Sequence, residues 1–234
     1  MIPWLGKNDP FPPVQLALTE PNGLLAAGAD LSPSRLLDAY ARGIFPWFSD
    51  GDPLLWWSPD PRMVLFLDEL HMTRSLRRVV RSGRFLVTLD EAFPDVIAGC
   101  AAPREGQDGT WITPAMRDAY ESLATMGYAH SVETWLNGEL AGGLYGVAVG
   151  RMFFGESMFA RQTDASKVAL VHLVRQLQRW DFQLIDCQMS TAHLASLGAR
   201  EIPRTQFIRE VGRLVRQPTT RGRWSIEPDL VESL

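Results

Sequence analysis

The sequence predicts a mixed α/β (α+β) protein with a small N-terminal domain, residues 1–62, and a larger domain, residues 63–234, built on a mixed central sheet. Three observations predict this architecture. Prolines crowd the first 62 residues, short apolar strands alternate with helical patterns from Met63 onward, and residues 130–158 have the alternation and glycines of an antiparallel meander. Hydrophobic residues make up 46% and charged residues 21% of the chain, which is typical of a globular protein.

The N-terminal segment leaves room for only one good helix. Ser32 is a favourable N-cap, Pro33 suits the first helical position and Gly43 ends the helix. The aromatic segment from Gly43 to Ser58 is predicted to be loop-like.

The larger domain is predicted element by element from its periodicities and turn residues. The predicted elements are a strand at 63–67, a helix at 73–82, a strand at 85–89, helices at 92–100 and 114–126, strands at 130–136, 139–149 and 151–158, a helix at 165–180, a strand at 182–187, and helices at 192–197 and 205–216. Asn137-Gly138 and Gly150 are hairpin turns, and Asp164 is the predicted cap of the crossover helix. A polar loop spans 103–109, and residues from Pro218 onward are predicted to be loosely held.

This order of meander, crossover helix and parallel strand resembles the fold of the GCN5-related N-acetyltransferases. Members that use coenzyme A carry a glycine-containing loop that holds the pyrophosphate at a helix N-terminus. Here the corresponding segment, 159–167, contains no glycine. Coenzyme A is therefore not predicted as a cofactor.

A polar pair ends the last predicted strand. Residues i and i+2 of a strand face the same side, so Asp186 and Gln188 are predicted to project together and Cys187 to point away. The crevice beyond the carboxyl ends of parallel strands is where α/β proteins bind ligands. Cys187 is then expected to be a buried core thiol, and not the nucleophile of a triad with His193.

Charge and cysteine content exclude several classes of protein. Two cysteines form no disulfide framework and have no metal spacing, and no apolar run is long enough to span a membrane. The N-terminus lacks the pattern of a signal peptide, so a cytoplasmic protein without metal or cofactor is expected.

The net charge is −4, yet arginines cluster in one predicted helix and the turn after it, at Arg74, Arg77, Arg78, Arg81 and Arg84. These could follow phosphates or form a solvated helix face.

Two tryptophans, Trp47 and Trp111, fall in predicted loops. A loop tryptophan can join two domains by packing, or it can stack on a nucleic-acid base. The sequence pattern alone leaves both roles open.

Taken together, the motifs resemble the leucyl/phenylalanyl-tRNA–protein transferases. The matching segments are 20–26, 28–33, 42–49, 56–62, 109–113, 155–159, 165–167, 185–188 and 193–199. The resemblance implies transfer of leucine or phenylalanine from aminoacyl-tRNA to proteins that begin with arginine or lysine, which marks them for N-degron proteolysis. It also favours tRNA binding by the arginine cluster, and we expect a monomer.

The resemblance also implies roles for individual residues. Trp47 and Trp111 would hold the terminal adenosine of the tRNA. Asp186, Gln188 and Glu156 would surround the reacting ester and the incoming amine. The aminoacyl side chain would lie among Leu144, Phe153, Met158, Leu173 and Ile185. Strict alternation would put Phe153 and Glu156 on opposite faces, so a bulge is predicted near Gly155.

The chemistry needs alignment of two substrates and removal of one proton. The nucleophile is an α-amine with a pKa of about 7.7–8.0, so part of it is already neutral. Asp186 is the candidate base, with the tRNA's own 2′-hydroxyl as the alternative; Glu156 could instead attract the acceptor's cationic side chain.

Two other classes of protein stay open, namely a related transferase acting on a cell-wall precursor and a tRNA-binding protein without activity.

Overall fold

A computed structural model describes residues 2–103, 110–227 and 230. The strands are β1 (Trp4–Leu5), β2 (Leu24–Gly28), β3 (Phe45–Pro46), β4 (Leu55–Trp57), β5 (Arg62–Phe66), β6 (Leu86–Leu89), β7 (Ala129–Leu136), β8 (Glu139–Val149), β9 (Met152–Ala160), β10 (Leu184–Gln188) and β11 (Arg200–Ile202). The helices are α1 (Pro33–Ala41), α2 (Arg74–Arg81), α3 (Phe93–Ala101), α4 (Pro114–Thr125), α5 (Ala165–Arg179), α6 (Ala192–Ser196) and α7 (Arg204–Leu214). Apart from Pro103, the predicted polar loop at 103–109 lies outside the described residues.

The N-terminal part contains a small sheet that the sequence did not predict. Its strand order is β1-β2-β4-β3, and β3 and β4 run through the aromatic segment expected to be a loop. Strands of two or three residues are too short to show alternation, which is why this expectation was wrong. The buried Trp56 ties the sheet together by donating its Nε1–H to the carbonyl of Gly28 at 3.0 Å.

The larger sheet begins at Arg62 and has the order β11-β5-β10-β9-β8-β7-β6. The predicted meander β7-β8-β9 is confirmed, as are the crossover by α5 and the parallel pairing of β10 with β9. Strand β11 has only three residues and was not predicted. The first sheet ends at Trp57, and the boundary at 62/63 stays a prediction.

Alternating residues of the larger sheet separate two cores. Tyr145, Val147 and Phe154 face the side that α1, α3, α4 and α7 cover. Leu144 and Phe153 face the opposite side, which α5 and α2 cover. The sheet is therefore a middle layer between two layers of helices.

The C-terminal segment, residues 218–227, is held more firmly than predicted. Trp224 is 3% exposed, its backbone N–H donates to Asp90 Oδ2 at 2.7 Å, and Glu227 accepts from Arg179 and Trp180. The expectation of a loose tail was wrong for residues 218–227, because their contacts are to residues distant in the sequence, which no local pattern indicates.

Two further observations complete the fold. Asp164 precedes α5 in a left-handed conformation, and its carboxylate binds Lys167 Nζ at 2.9 Å instead of capping the helix as predicted. Across the part of the chain that the structure describes, every helix is too short or too polar to cross a membrane.

Candidate active site

A cavity of about 1440 Å³ opens where β9 and β10 part. The two strands pair only from Met152–Leu184 to Phe154–Asp186, and the residues beyond this point line the cavity. Trp47 closes one side from the N-terminal part of the chain. The cavity therefore lies at the carboxyl ends of two parallel strands, as the sequence predicted.

A bulge in β9 puts Glu156 at this cavity. Tyr145 pairs with Ser157 and Gly146 pairs with Gly155, which leaves Glu156 as an extra residue. The bulge predicted near Gly155 is confirmed. It breaks the alternation of the strand, so Phe153 and Glu156 both line the cavity.

Glu156 belongs to a buried hydrogen-bond network with two tyrosines. Tyr40 donates to Glu156 Oε1 at 2.8 Å, Tyr120 donates to Oε2 at 2.7 Å, and the two hydroxyl oxygens lie 2.6 Å apart. With Glu156 ionised, the two phenolic protons fill only two of these three contacts. With Glu156 protonated, its O–H can donate to one tyrosine, and that tyrosine can then donate to the other, so all three contacts are filled. Burial raises the pKa of Glu156 from 4.5 to about 7, so the carboxyl group exchanges this proton near neutral pH.

Asp186 faces away from the cavity. Its carboxylate accepts from Arg62 Nε at 2.8 Å and from Arg62 Nη2 at 2.6 Å, and both side chains are 0% exposed. The Arg62 guanidinium also lies 4.7 Å from the centre of the Phe45 ring and 4.5 Å from that of Phe207. Asp186 is thus an anchored, fully paired anion.

Gln188 reaches the cavity by leaving the strand alternation. Asp186 pairs with Val64 and Gln188 with Met63, so Cys187 is an extra residue, and Gln188 has a φ of +60°. The expectation that Asp186 and Gln188 project together was wrong because of this bulge. Gln188 Nε2 donates to Glu156 Oε1 at 2.7 Å, while its backbone N–H donates to Asp186 Oδ1 at 2.9 Å.

The apolar wall of the cavity contains all five side chains predicted for the acyl pocket. These are Leu144, Phe153, Met158, Leu173 and Ile185. Cys187 joins them on the same side of β10 as Ile185; it is half-buried and packs against the core, so the expected core thiol also borders the pocket. Burial and the nearby Asp186 carboxylate raise the pKa of the Cys187 thiol, which keeps the thiol protonated and unreactive.

Both predicted tryptophans line the cavity. Trp47 is 42% exposed and its ring meets Trp57 edge-on at 5.5 Å, while Trp111 is half-buried just before α4. An exposed tryptophan at a cavity mouth offers an apolar face to a ligand. His193 also lines the cavity, where burial and Lys167 lower its pKa.

The predicted arginine cluster is exposed, and it lies on the other side of the larger sheet from the N-terminal sheet. Arg74, Arg77, Arg78, Arg81 and Arg84 are all exposed on α2 and the turn after it. α2 packs against α5, whose Leu170 and Leu173 line the cavity. Burial, Arg81 and Arg77 lower the pKa of Arg175 on α5, so Arg175 extends this positive surface.

The sequence analysis missed Arg62, Tyr40, Tyr120 and Asp50 at the site, and Arg175 on the positive surface. Arg62 had a usable signal, since it is a charged residue that opens an otherwise apolar strand and ends the 56–62 motif. Tyr40 looks like part of the apolar face of α1, and only the folded chain brings its hydroxyl to Glu156.

The raised pKa of Glu156 predicts a pH-dependent stability. The folded pKa of about 7 lies above the ordinary value of 4.5, so the contribution is full below pH 4.5 and is lost as pH rises through 7. At ~1.4 kcal/mol per pH unit, the wild type should lose about 3 kcal/mol relative to Glu156→Gln over this range. Urea unfolding of both proteins between about pH 5 and pH 8 measures this loss. The prediction would be contradicted if the free energies of unfolding of the wild type and Glu156→Gln changed with pH by the same amount.

A crevice between parting strands, with an apolar pocket beside a carboxyl group and an amide, defines an enzyme of the acyltransferase type. Two family models match the chain. The model described as leucyl/phenylalanyl-tRNA protein transferase matches residues 64–212, and that of the N-terminal domain of the same transferase matches residues 29–60.

Relatives named leucyl/phenylalanyl-tRNA–protein transferase match almost the whole chain. The protein of Nitrosospira multiformis is 60% identical over 99% of this chain and 100% of its own length. That of Chromobacterium violaceum is 60% identical over 96% of each chain, and that of Stutzerimonas stutzeri is 63% identical over 88% and 92%. The chain therefore belongs to the leucyl/phenylalanyl-tRNA–protein transferase family and is an aminoacyltransferase.

Solved structures show more distant likenesses. L-PGS from Bacillus licheniformis is 10% identical, with a TM-score of 0.40 over 72% of this chain and 54% of its own. A GCN5-related N-acetyltransferase-like protein from Streptococcus suis is 13% identical, with a TM-score of 0.36 over 76% and 67%. Both TM-scores are below 0.5, and the fold is defined by the sheet order β11-β5-β10-β9-β8-β7-β6.

Proposed function

We propose that this protein transfers leucine or phenylalanine from aminoacyl-tRNA to the α-amine of proteins that begin with arginine or lysine. The observation that carries the proposal is a single cavity in which an apolar pocket lies beside the Glu156–Gln188 pair. The reaction takes place in the cytoplasm, where charged tRNA is made, by a monomer, and the product enters N-degron proteolysis.

The donor occupies the cavity through its terminal nucleotide and its aminoacyl side chain. Trp47 and Trp111 stack on the terminal adenosine, an interaction worth about 1–3 kcal/mol per base. The leucine or phenylalanine side chain enters the pocket formed by Leu144, Phe153 and their neighbours. Charged aminoacyl groups are rejected because their desolvation in this pocket is not compensated.

The α-amine attacks the ester carbonyl, so a C–N bond forms and the C–O bond to the ribose breaks. Gln188 donates its amide N–H to Glu156, which leaves Gln188 Oε1 to accept a hydrogen bond from the amine. Glu156, with a pKa of about 7, accepts the amine proton and passes it to the ribose oxygen as the C–O bond breaks. Asp186 has no such route because it is fully buried against Arg62, so we assign it the role of holding Gln188 in place.

The preference for basic acceptors has an electrostatic basis. Glu156 and the exposed Asp50 both line the cavity, so a cationic side chain entering it meets two carboxyl groups. The attraction is greatest when Glu156 is ionised.

Transfer assays with matched substrates test the proposal. Labelled Leu-tRNA, Phe-tRNA and Lys-tRNA are each offered with peptides that differ only in starting with arginine, lysine or glutamate, and with an N-acetylated arginine peptide as control. We expect transfer from Leu-tRNA and Phe-tRNA to the free arginine and lysine peptides alone. Transfer to a cell-wall precursor peptide in place of these acceptors would contradict the assigned acceptor, and binding of tRNA without any transfer would contradict the assigned chemistry.

The arginine surface on α2 is proposed to bind the phosphates of the tRNA acceptor stem. Replacing Arg77 and Arg78 by alanine should weaken binding of every charged tRNA alike and reduce the slope of log K against log salt by about 1 for each lost phosphate contact. The matched control is Arg209→Ala, an exposed arginine on α7 at the other face of the sheet. If the Arg77/Arg78 double variant and Arg209→Ala bind tRNA with equal affinity and equal salt dependence, the acceptor stem binds elsewhere.

A further inference from the structure

We infer that the C-terminal segment, through Trp224, sets the width of the acyl pocket and hence the preference between leucine and phenylalanine. The inference rests on the proposed function and adds a specificity-determining residue that does not itself line the cavity. It follows from how the segment is fixed, what Trp224 contacts and how Phe153 is confined.

The segment crosses the edge of the larger domain and is fixed at three points. Gly150 N donates to Thr219 Oγ1 at 2.8 Å, close to the turn between β8 and β9. Trp224 is tied at both ends, because its backbone N–H donates to Asp90 Oδ2 at 2.7 Å and its Nε1–H donates to the Thr220 carbonyl at 3.0 Å. Glu227 accepts from Trp180 Nε1 on one carboxylate oxygen at 3.1 Å.

The Trp224 ring is the centre of a buried aromatic cluster. His130 stacks on it with ring centres 3.5 Å apart and planes at 4°. Trp180 and Phe182 meet it edge-on at 4.9 Å and 6.0 Å, and Phe153 lies at 6.1 Å. Hydrogen bonds at both ends and stacking on its face leave this ring a single position.

Phe153 links this cluster to the cavity. Its ring lines the acyl pocket and is 1% exposed. On the sheet side the ring lies over Gly146, where an added Cβ would stand 2.5 Å from Phe153 Cε1. Gly146 and Trp224 thus limit where the Phe153 ring can lie, and the position of that ring determines how much room the aminoacyl side chain has.

Shortening Trp224 should therefore change selectivity. In Trp224→Leu the Phe153 ring gains the space that the Trp224 ring occupied and can move away from the acyl pocket. The wider pocket then favours the larger phenylalanine side chain. One extra or missing methylene group of a substrate in an apolar pocket changes the selectivity of an enzyme by about 10–200-fold. Because this change acts through a neighbour, we expect the lower end, a rise of about tenfold in the ratio of kcat/KM for Phe-tRNA over Leu-tRNA.

The experiment measures this ratio in a competition assay with an arginine peptide as acceptor, together with thermal unfolding of each protein. Trp224→Phe keeps an aromatic ring and should stay near the wild-type ratio. Glu227→Gln weakens an anchor beyond Trp224 and leaves the hydrogen bonds and the His130 stacking of Trp224 itself in place, so it controls for loss of stability alone. Trp224→Met is a milder replacement that serves if Trp224→Leu does not fold.

A second comparison separates action through Phe153 from any other route. In a Phe153→Leu background, Trp224→Met should change the ratio no further. An unchanged ratio in Trp224→Leu and Trp224→Met, with both rates equal to wild type or reduced by the same factor, would overturn the inference and leave the segment a stabilising role only. A wild type that transfers neither amino acid would instead overturn the proposed function.

Discussion

Replacing Arg62 by methionine will lower the free energy of unfolding by about 3–5 kcal/mol, because the change leaves Asp186 as a buried charge without its partner. Both side chains are 0% exposed and share two hydrogen bonds of 2.6 Å and 2.8 Å. Methionine fills a similar volume between the Phe45 and Phe207 rings, so the loss is chiefly electrostatic. The same change should slow transfer, since Asp186 also fixes the backbone of Gln188.

Urea unfolding of Arg62→Met, Asp186→Asn and the double variant measures the coupling between these two residues. We expect the double variant to be more stable than the sum of the two single effects predicts, because the neutral asparagine side chain no longer needs the guanidinium. Additive losses would show that the pair is not the anchor of this part of the site.

Replacing Glu156 by glutamine should reduce the rate of the transfer step by about 10²–10⁴-fold, the usual contribution of a general base. Glutamine keeps the size of the side chain but cannot accept the proton. For the wild type the rate should rise with pH through two ionisations, that of Glu156 near pH 7 and that of the acceptor's α-amine. In Glu156→Gln the remaining rise should follow the acceptor's α-amine, at a pKa of about 7.7–8.0.

Asp186→Asn is the matched control for this experiment, compared at equal occupancy by tRNA. It should keep the ionisation near pH 7, because Asp186 holds Gln188 and does not take the proton. A wild-type rate for Glu156→Gln would transfer the role of base to the 2′-hydroxyl of the tRNA. If the ionisation near pH 7 disappears from the pH–rate profile of Asp186→Asn and persists in that of Glu156→Gln, Asp186 is the base.

Much of the larger domain could be predicted from the sequence because its signals are local. Asn137-Gly138 specifies a hairpin, Pro114 after Thr113 begins a helix, and the alternation of β7 to β9 indicates a sheet. The acyl pocket followed from the resemblance, and all of its predicted residues line the cavity. The bulge at Glu156 was predictable because strict alternation conflicted with the role of the residue.

The remaining features depend on contacts between distant parts of the chain. Arg62 and Asp186 are 124 residues apart, and Tyr40 and Glu156 are 116 apart, so no local pattern connects them. The bulge at Cys187 and the positive φ of Gln188 leave Gln188 at the cavity and turn Asp186 away from it, and no periodicity predicts such a change. Trp224 lies in residues 218–227, which form no helix or strand and are held by hydrogen bonds and ring contacts to distant residues.

The most direct test of the central claim is a single-turnover reaction between tRNA-bound labelled leucine and an arginine-starting peptide, with the product identified by mass spectrometry. The account predicts a peptide that carries one leucine on its α-amine, formed by the wild type and formed at least about a hundredfold more slowly by Glu156→Gln. Release of free leucine without an extended peptide, or equal rates for both proteins, would contradict it.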